Sequence, residues 1–272
     1  MQFPQLLPRR QTIASALALG FVGRQVRAQP TGEENPWPSL AQQIFKGRPV
    51  ADSNAILSID APYRAEDAAV VPIGLHRLLP DDDTRRIKTI TLVIDENPSP
   101  VAAAFSLGEN SGIRNISTRV RVDSYTKIHA VATMADGSLL ATERFVKAAG
   151  GCSAPAAKQE AGSVPPVTMR FRQFTPAPGA TSREVQLMIW HPNYSGMQMD
   201  QVSRLYVPAL FIATVHIWQG DDLLLGIESG VSISENPTFR FDYRPNGAAE
   251  FRAEVTDSDG KTFKESWSAT RA

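Results

Sequence analysis

Over residues 116–122 apolar and polar positions alternate, with Ile116, Thr118, Val120 and Val122 against Ser117, Arg119 and Arg121. Over residues 128–134, Ile128, Ala130, Ala132 and Met134 face one way, with His129 and Thr133 on the other. A period of two is that of a strand with one face on a core. Ile87–Ile94, Val101–Leu107 and Leu139–Val146 read as further strands, divided by turn signals at Glu96-Asn97-Pro98 and Asp136-Gly137. The second half repeats the pattern over residues 167–172, 184–190, 211–218, 238–244, 249–256 and 262–267. Phe239, Phe241 and Tyr243 alternate there with Arg240 and Asp242, and Phe251, Ala253 and Val255 with Arg252 and Glu254. One helix is predicted, over residues 37–45, with Ser39 as its cap, Gln42 three residues on, and Trp37, Leu40, Ala41 and Ile44 on one face. Many short strands, regular turns and little helix predict an all-β protein built of β-sandwiches.

Between the two sets of strands the composition changes. Residues 148–166 read AAGGCSAPAAKQEAGSVPP, nearly empty of large apolar side chains, which is a linker composition. The 272-residue chain thus divides into two domains of roughly 100–130 residues, a common domain size. The expected layout is a leader over 1–28, a sandwich with a short N-terminal helix over 29–147, a flexible arm over 148–165 and a second sandwich over 166–272.

The leader is expected from Arg9-Arg10 ahead of a moderately apolar stretch, residues 12–22, and from Val26-Arg27-Ala28, a small–x–small cleavage pattern. Paired arginines before a weak hydrophobic core point to twin-arginine export, with secretion by the general route as the alternative, and either way to the periplasm. The leader holds four arginines and no acid; without it, 24 basic residues face 28 acidic ones. A mildly acidic surface without basic clusters argues against nucleic acid as a partner. No apolar run reaches the ~20 residues of a membrane-spanning helix.

Cys152 is the one cysteine of the chain. Exported proteins use cysteines in pairs as disulfides, so a single thiol after Gly150-Gly151 suggests chemical use. The two glycines give the arm its expected flexibility, and a thiol in so small-sided a segment is expected to be accessible. Lys147 and Lys158 are too few to activate it, so activation is assigned to a partner's pocket. An exposed thiol also predicts a disulfide dimer through Cys152. Other candidates carry less. His191-Pro192 reads as a turn, and His216 as a sheet-surface residue. His76, His129 and His216 lack metal-ligand spacing, and Asp81-Asp82-Asp83 reads as a solvated loop. No phosphate loop, nucleophile elbow or serine triad is present, and no metal or cofactor is expected.

Residues 90–95 into Glu96-Asn97-Pro98-Ser99-Pro100, Ser117-Thr118-Arg119-Val120-Arg121, residues 131–134 into Asp136-Gly137, and Gly150-Gly151-Cys152 together resemble SoxY, a sulfur carrier. Ala61-Pro62 through Val71-Pro72-Ile73 fits the same family more loosely. Residues 165–272 look like SoxZ, its partner, through His191-Pro192, Ser195-Gly196, Ser234-Glu235-Asn236-Pro237 and residues 257–261. The resemblance implies two immunoglobulin-like sandwiches in intramolecular contact. It implies that Cys152 carries sulfur intermediates covalently between periplasmic sulfur-oxidising enzymes, and that the chain is a carrier, not an enzyme. Ser153-Ala154 stand where SoxY has a second glycine pair, and the arm continues into a second domain. Single-chain proteins of this kind resemble a group associated with quinoprotein dehydrogenases, so a docking subunit for such a dehydrogenase is the rival expectation.

Overall fold

The computed structural model describes residues 35–80, 83–155 and 167–269. The expected leader, Asp81, Asp82, and the linker from 156 to 166 lie outside the described residues. The order is helix α1 (Trp37–Ile44), then strands β1 (Val50–Asp52), β2 (Leu57–Asp60), β3 (Val71–Arg77), β4 (Ile87–Ile94), β5 (Val101–Leu107), β6 (Asn115–Val120), β7 (Thr126–Met134) and β8 (Leu139–Val146). The second half adds β9 (Thr168–Gln173), β10 (Arg183–Trp190), β11 (Ile212–Gln219), β12 (Asp222–Ser229), β13 (Thr238–Tyr243), β14 (Glu250–Asp257) and β15 (Thr262–Ser268). The protein is nearly all β, two immunoglobulin-like sandwiches as expected.

The sandwiches join strand edge to strand edge. A nine-stranded sheet runs β1-β8-β7-β4-β5-β12-β11-β14-β15, and a six-stranded sheet runs β2-β3-β6-β13-β10-β9. Each sheet crosses from the first half to the second, at β5–β12 and at β6–β13. The first crossing is an antiparallel ladder from Leu225 opposite Leu107 to Ser229 opposite Ala103. The second pairs Arg240 with Ser117 and Phe241 with Ile116. Edges that would template aggregation are consumed by one another. One buried cluster spans both halves, taking Ile116, Val120 and Phe105 from the first and Phe239, Phe241 and Ile227 from the second. Phe105 and Phe239 meet edge to face, 6.4 Å between centroids at 72°, a geometry that adds about 1 kcal/mol beyond area burial.

Several local expectations change. Helix α1 has Pro36 as its cap residue, with no side-chain cap bond, and Ser39 lies inside the first turn. Pro36 and Pro38 pre-set helical φ and start the helix at Trp37, so no serine cap is needed. Strands β1, β2, β3 and β12 escape the period-two reading; β1 and β2 are too short to show it. His129, assigned to the outward face of β7, is buried because α1 lies over that face. Trp37 stacks flat on its ring, centroids 3.6 Å apart.

The seam is tight enough to demand glycine. A Cβ on Gly108 would stand 1.7 Å from the Leu223 carbonyl oxygen. Gly108→Ala is therefore expected to destabilise the protein by about 2 kcal/mol or more, since backbone must move to admit the methyl. A urea-unfolding midpoint unchanged by this substitution would contradict the seam described.

Candidate functional site

The site forms where strand β6 leaves the six-stranded sheet. After Val120 the chain continues as Arg121-Val122-Asp123, bonded to three separate segments. Arg121 N donates to the Ser232 carbonyl (2.7 Å), Val122 N to that of Ala68 (2.9 Å), and Asp123 N to Asn97 Oδ1 (2.9 Å). Asn97, in the Glu96-Asn97-Pro98 turn, is buried and fully used: its Nδ2 donates to the Arg121 carbonyl (2.8 Å) and to Ser232 Oγ (3.0 Å). Ser232 in turn donates to the Ser99 carbonyl, and Ser234 to that of Ala69, both at 2.7 Å. The seam here is a polar lattice in which Asn97, Ser232 and Ser234 find partners across the two halves.

The cysteine arm docks into this lattice. Gly150 N donates to the Asp123 carbonyl (2.8 Å) and Gly151 N to that of Val122 (3.0 Å), so the arm adds to the 121–123 segment like a short strand. Gly150 has φ +78°, the left-handed region where glycine carries no Cβ penalty. At Gly151 the constraint is space: a Cβ would lie 2.0 Å from the Ala68 carbonyl oxygen and 2.7 Å from that of Val122. Gly151 therefore serves close packing, and Gly150 a left-handed turn with open space around it, where flexibility was expected.

Cys152 is fully buried, at 0 % exposure, and its thiol is free. This corrects the expectation of an accessible thiol. The segment does lack large side chains, but small residues also let a chain lie flat against a neighbour. From the second half Ser195 closes over it, its hydroxyl donating to the Cys152 carbonyl at 2.5 Å. Ser195 is positioned by Gln198 Oε1, which accepts from its backbone N–H (3.2 Å). Nearby, buried Asn193 holds Ile233 O with its Nδ2 (2.7 Å) and Ile212 N with its Oδ1 (2.8 Å).

Burial pushes the Cys152 thiol up to about 11; Asp123 adds to the rise and Arg121 opposes it. At neutral pH the thiol is protonated, and only a thiolate is a good nucleophile. Arg121, which the alternation places on the polar face of β6, is itself buried. Its Nη1 donates to the carbonyls of Val231 (3.0 Å) and Ile233 (2.5 Å). Removal from water lowers its pKa, while Cys152 and Glu235 act to raise it.

Sequence reasoning finds Cys152 and its glycines but gives no role to Arg121, Asn97 or Ser195. The signal is in the stretches that carry the resemblance, since all three residues lie in them and converge on the arm. The histidines separate as follows. His191 is buried, its Nδ1 accepting from Asn193 N (3.0 Å), with its pKa lowered chiefly by burial. His216 stacks on Trp218 at 5.6 Å, and His76 meets Asn115 Oδ1 at 2.8 Å. His129, without ligand spacing in sequence, sits with Nε2 3.1 Å from Asp95 Oδ2. Among the described residues no group of three or more His, Cys, Asp or Glu side chains could hold a metal, and no helix is long and apolar enough to cross a membrane.

Residues 41–152 match the family model of the sulfur oxidation protein SoxY, and residues 174–268 that of the sulphur oxidation protein SoxZ. The first match ends on Cys152. No curated protein matches the chain. Among solved structures, the sulfur carrier protein SoxY from Chlorobium limicola f thiosulfatophilum is similar at 23% identity and a TM-score of 0.33, over 42% of this chain and 91% of that one. Two variants of the superoxide reductase (neelaredoxin) from Ignicoccus hospitalis reach TM-scores of 0.30 at 11% and 13% identity. These cover 34% and 40% of this chain, and 79% and 90% of theirs.

The site predicts an unusual pH response. A closed-state pKa raised above the free thiol's ~8.5 means that closure is at full strength below ~8.5 and is lost as pH rises through about 11. Iodoacetamide should modify native Cys152 far more slowly than the unfolded chain at pH 8, with the rate still climbing towards pH 11. Ser195→Ala removes one hydrogen bond and should speed modification about tenfold, the equivalent of a ~1–1.5 kcal/mol contact. A native rate equal to the unfolded one at pH 8 would contradict a buried thiol.

Proposed function

Because this chain belongs to the SoxY and SoxZ families, joined in one polypeptide, we propose that it is a periplasmic carrier that holds sulfur intermediates covalently on Cys152 and presents them to partner enzymes. The observation that carries the reading is the placement of the sole thiol. It lies at the end of the SoxY match, on a glycine arm clasped by a serine of the SoxZ half. Among the described residues the arm is held by three direct hydrogen bonds, from Gly150 N, from Gly151 N and to the Cys152 carbonyl. At ~1 kcal/mol net each, such bonds set an opening cost of a few kcal/mol, well below that of global unfolding. Opening without unfolding is what a carrier arm needs.

In the open state the thiol loses its burial penalty and regains thiolate character at neutral pH. The thiolate attacks the outer sulfur of a partner's persulfide; one S–S bond forms, the donor's S–S bond breaks, and the donor's thiolate leaves with the electron pair. The transferred sulfur keeps its proton, and no external oxidant is consumed. Delivery is the same exchange run onto an acceptor. The SoxZ half supplies Ser195 and the opposing edges of both sheets. It serves as clasp and scaffold, held at high effective concentration by the covalent link. The partners are sulfur-oxidising enzymes of the periplasm, and the chain itself is no enzyme.

Peptide mass spectrometry of the protein isolated from producing cells without reductant tests the proposal. Sulfur-containing adducts on the Cys152 peptide, removed by reductant and absent in Cys152→Ser, are expected. A bare thiol in cells actively oxidising sulfur compounds would overturn the carrier role and leave the docking subunit standing.

A further inference from the structure

At the opposite end of the seam from Cys152 lies a cavity of about 730 Å³. Strand β4 starts in its wall at Ile87 and ends, at Ile94, just before the turn that holds Asn97. At ~3.3 Å per residue, that strand sets the two sites about 23 Å apart. Buried Ile87 and Ile113 give the cavity an apolar part. The rest is strongly charged: Arg77, Arg85, Arg86, Lys88 and Arg244 line it, with Asp83 and Glu109 as the acidic lining residues. Counting Asp81 and Asp82 against them, because they adjoin Asp83 in sequence, still leaves five cations to four acids. The excess is local, since over residues 29–272 acids outnumber bases by 28 to 24.

More decisive is what the internal pairing leaves over. Arg85 is committed to Asp83, its Nε donating to Oδ1 (3.0 Å) and its Nη2 to Oδ2 (2.6 Å), and Arg77 is also engaged. Arg86, Lys88 and Arg244 make no side-chain hydrogen bond or ion pair among the described residues. The backbone places two of these three. Strand β4 bulges against β7 between Ile87 and Thr89, so that Lys88 is the extra residue at the cavity, and bulges re-aim side chains. Arg244 comes from the second half, where its N–H donates to the Ser111 carbonyl (2.6 Å). It lies against Gly112, at φ +64°, where a Cβ would come within 2.9 Å of the Arg244 Cβ. Glycine there makes the room that lets Arg244 enter the wall.

We propose that this cavity binds a small organic molecule bearing two or more acidic groups, gripped by Arg86 and Lys88 from the SoxY half and Arg244 from the SoxZ half. Its volume falls among the ~300–1,000 Å³ of small-molecule sites. A cleft lined by one sign of charge focuses its field on a ligand of the other. Because the grip spans both halves, an occupant also ties them together. Cys152 takes no part, so the site goes beyond the carrier reading and does not rest on it.

Calorimetric titration of the full-length protein with benzene-1,3,5-tricarboxylate tests the proposal, at ~0.15 M ionic strength to screen unspecific attraction. Saturable binding is expected, with a Kd on the order of 0.1–1 mM for an anion of this size. Benzoate, the same ring with one charge, should bind at least about tenfold more weakly. Arg244→Gln and Lys88→Gln should each weaken the tricarboxylate about tenfold, the loss of one charged contact. Lys261→Gln, which removes an exposed cation outside the cavity, should leave its affinity unchanged. No saturable binding up to about 10 mM would overturn the proposal. So would equal affinities for benzoate and the tricarboxylate, or a loss in Lys261→Gln as large as in Arg244→Gln. Neither result bears on whether Cys152 is loaded in cells.

Discussion

An unpaired strand edge is a row of backbone N–H and C=O groups that must find partners, and each sandwich in this chain finds them on the other, β5 on β12 and β6 on β13. This edge pairing makes two domains into one double-layered body with a main core shared by both halves. It also decides where the thiol goes. Strand β6 ends at the seam, so the residues after it must be satisfied by loops from both halves. Asn97, Ser232 and Ser234 do this for the 119–123 segment. The arm bearing Cys152 then lies along that segment, under Ser195. Fusing the two families in one chain preserves this geometry at no cost in bimolecular association.

Burial and chemistry oppose each other at Cys152. A nucleophile needs its thiolate, yet the closed compartment raises the pKa to about 11 and keeps the sulfur protonated. The opposition is useful in a carrier. A protonated, enclosed thiol reacts slowly with stray electrophiles and oxidants, and under the proposed carrier role it would react readily only while the arm is open. Arg121 tempers the burial penalty without removing it.

The fold is largely legible because alternation over β4 to β8 and β13 to β15 is strong, and the strand bounds there differ from the expected ones by at most two residues. What alternation cannot express is edge pairing between distant strands, since nothing in the sequence of β5 names β12 as its neighbour. The same limit hides Arg121. Period two sends it outward with Arg119, but the strand stops at Val120 and the chain turns into the seam, where backbone carbonyls take its charge. Cys152 stands out by its solitude and its glycines. Its burial does not, because a segment of small residues is equally fit to swing free or to lie flat, and only the opposing surface decides. Gly151, with no room for a Cβ against Ala68 and Val122, shows which occurs.

The account stands on the arm opening by itself, leaving both sheets intact. The iodoacetamide modification rate of Cys152 at fixed pH, followed from zero to sub-denaturing urea, separates local from global opening. A local opening exposes little surface, so the rate should stay nearly flat until the unfolding transition begins. A rate that rises from the first increment of urea with the full slope of global unfolding would show that the thiol is reached only when the protein unfolds. Cys152 would then be a core residue with no cargo to carry.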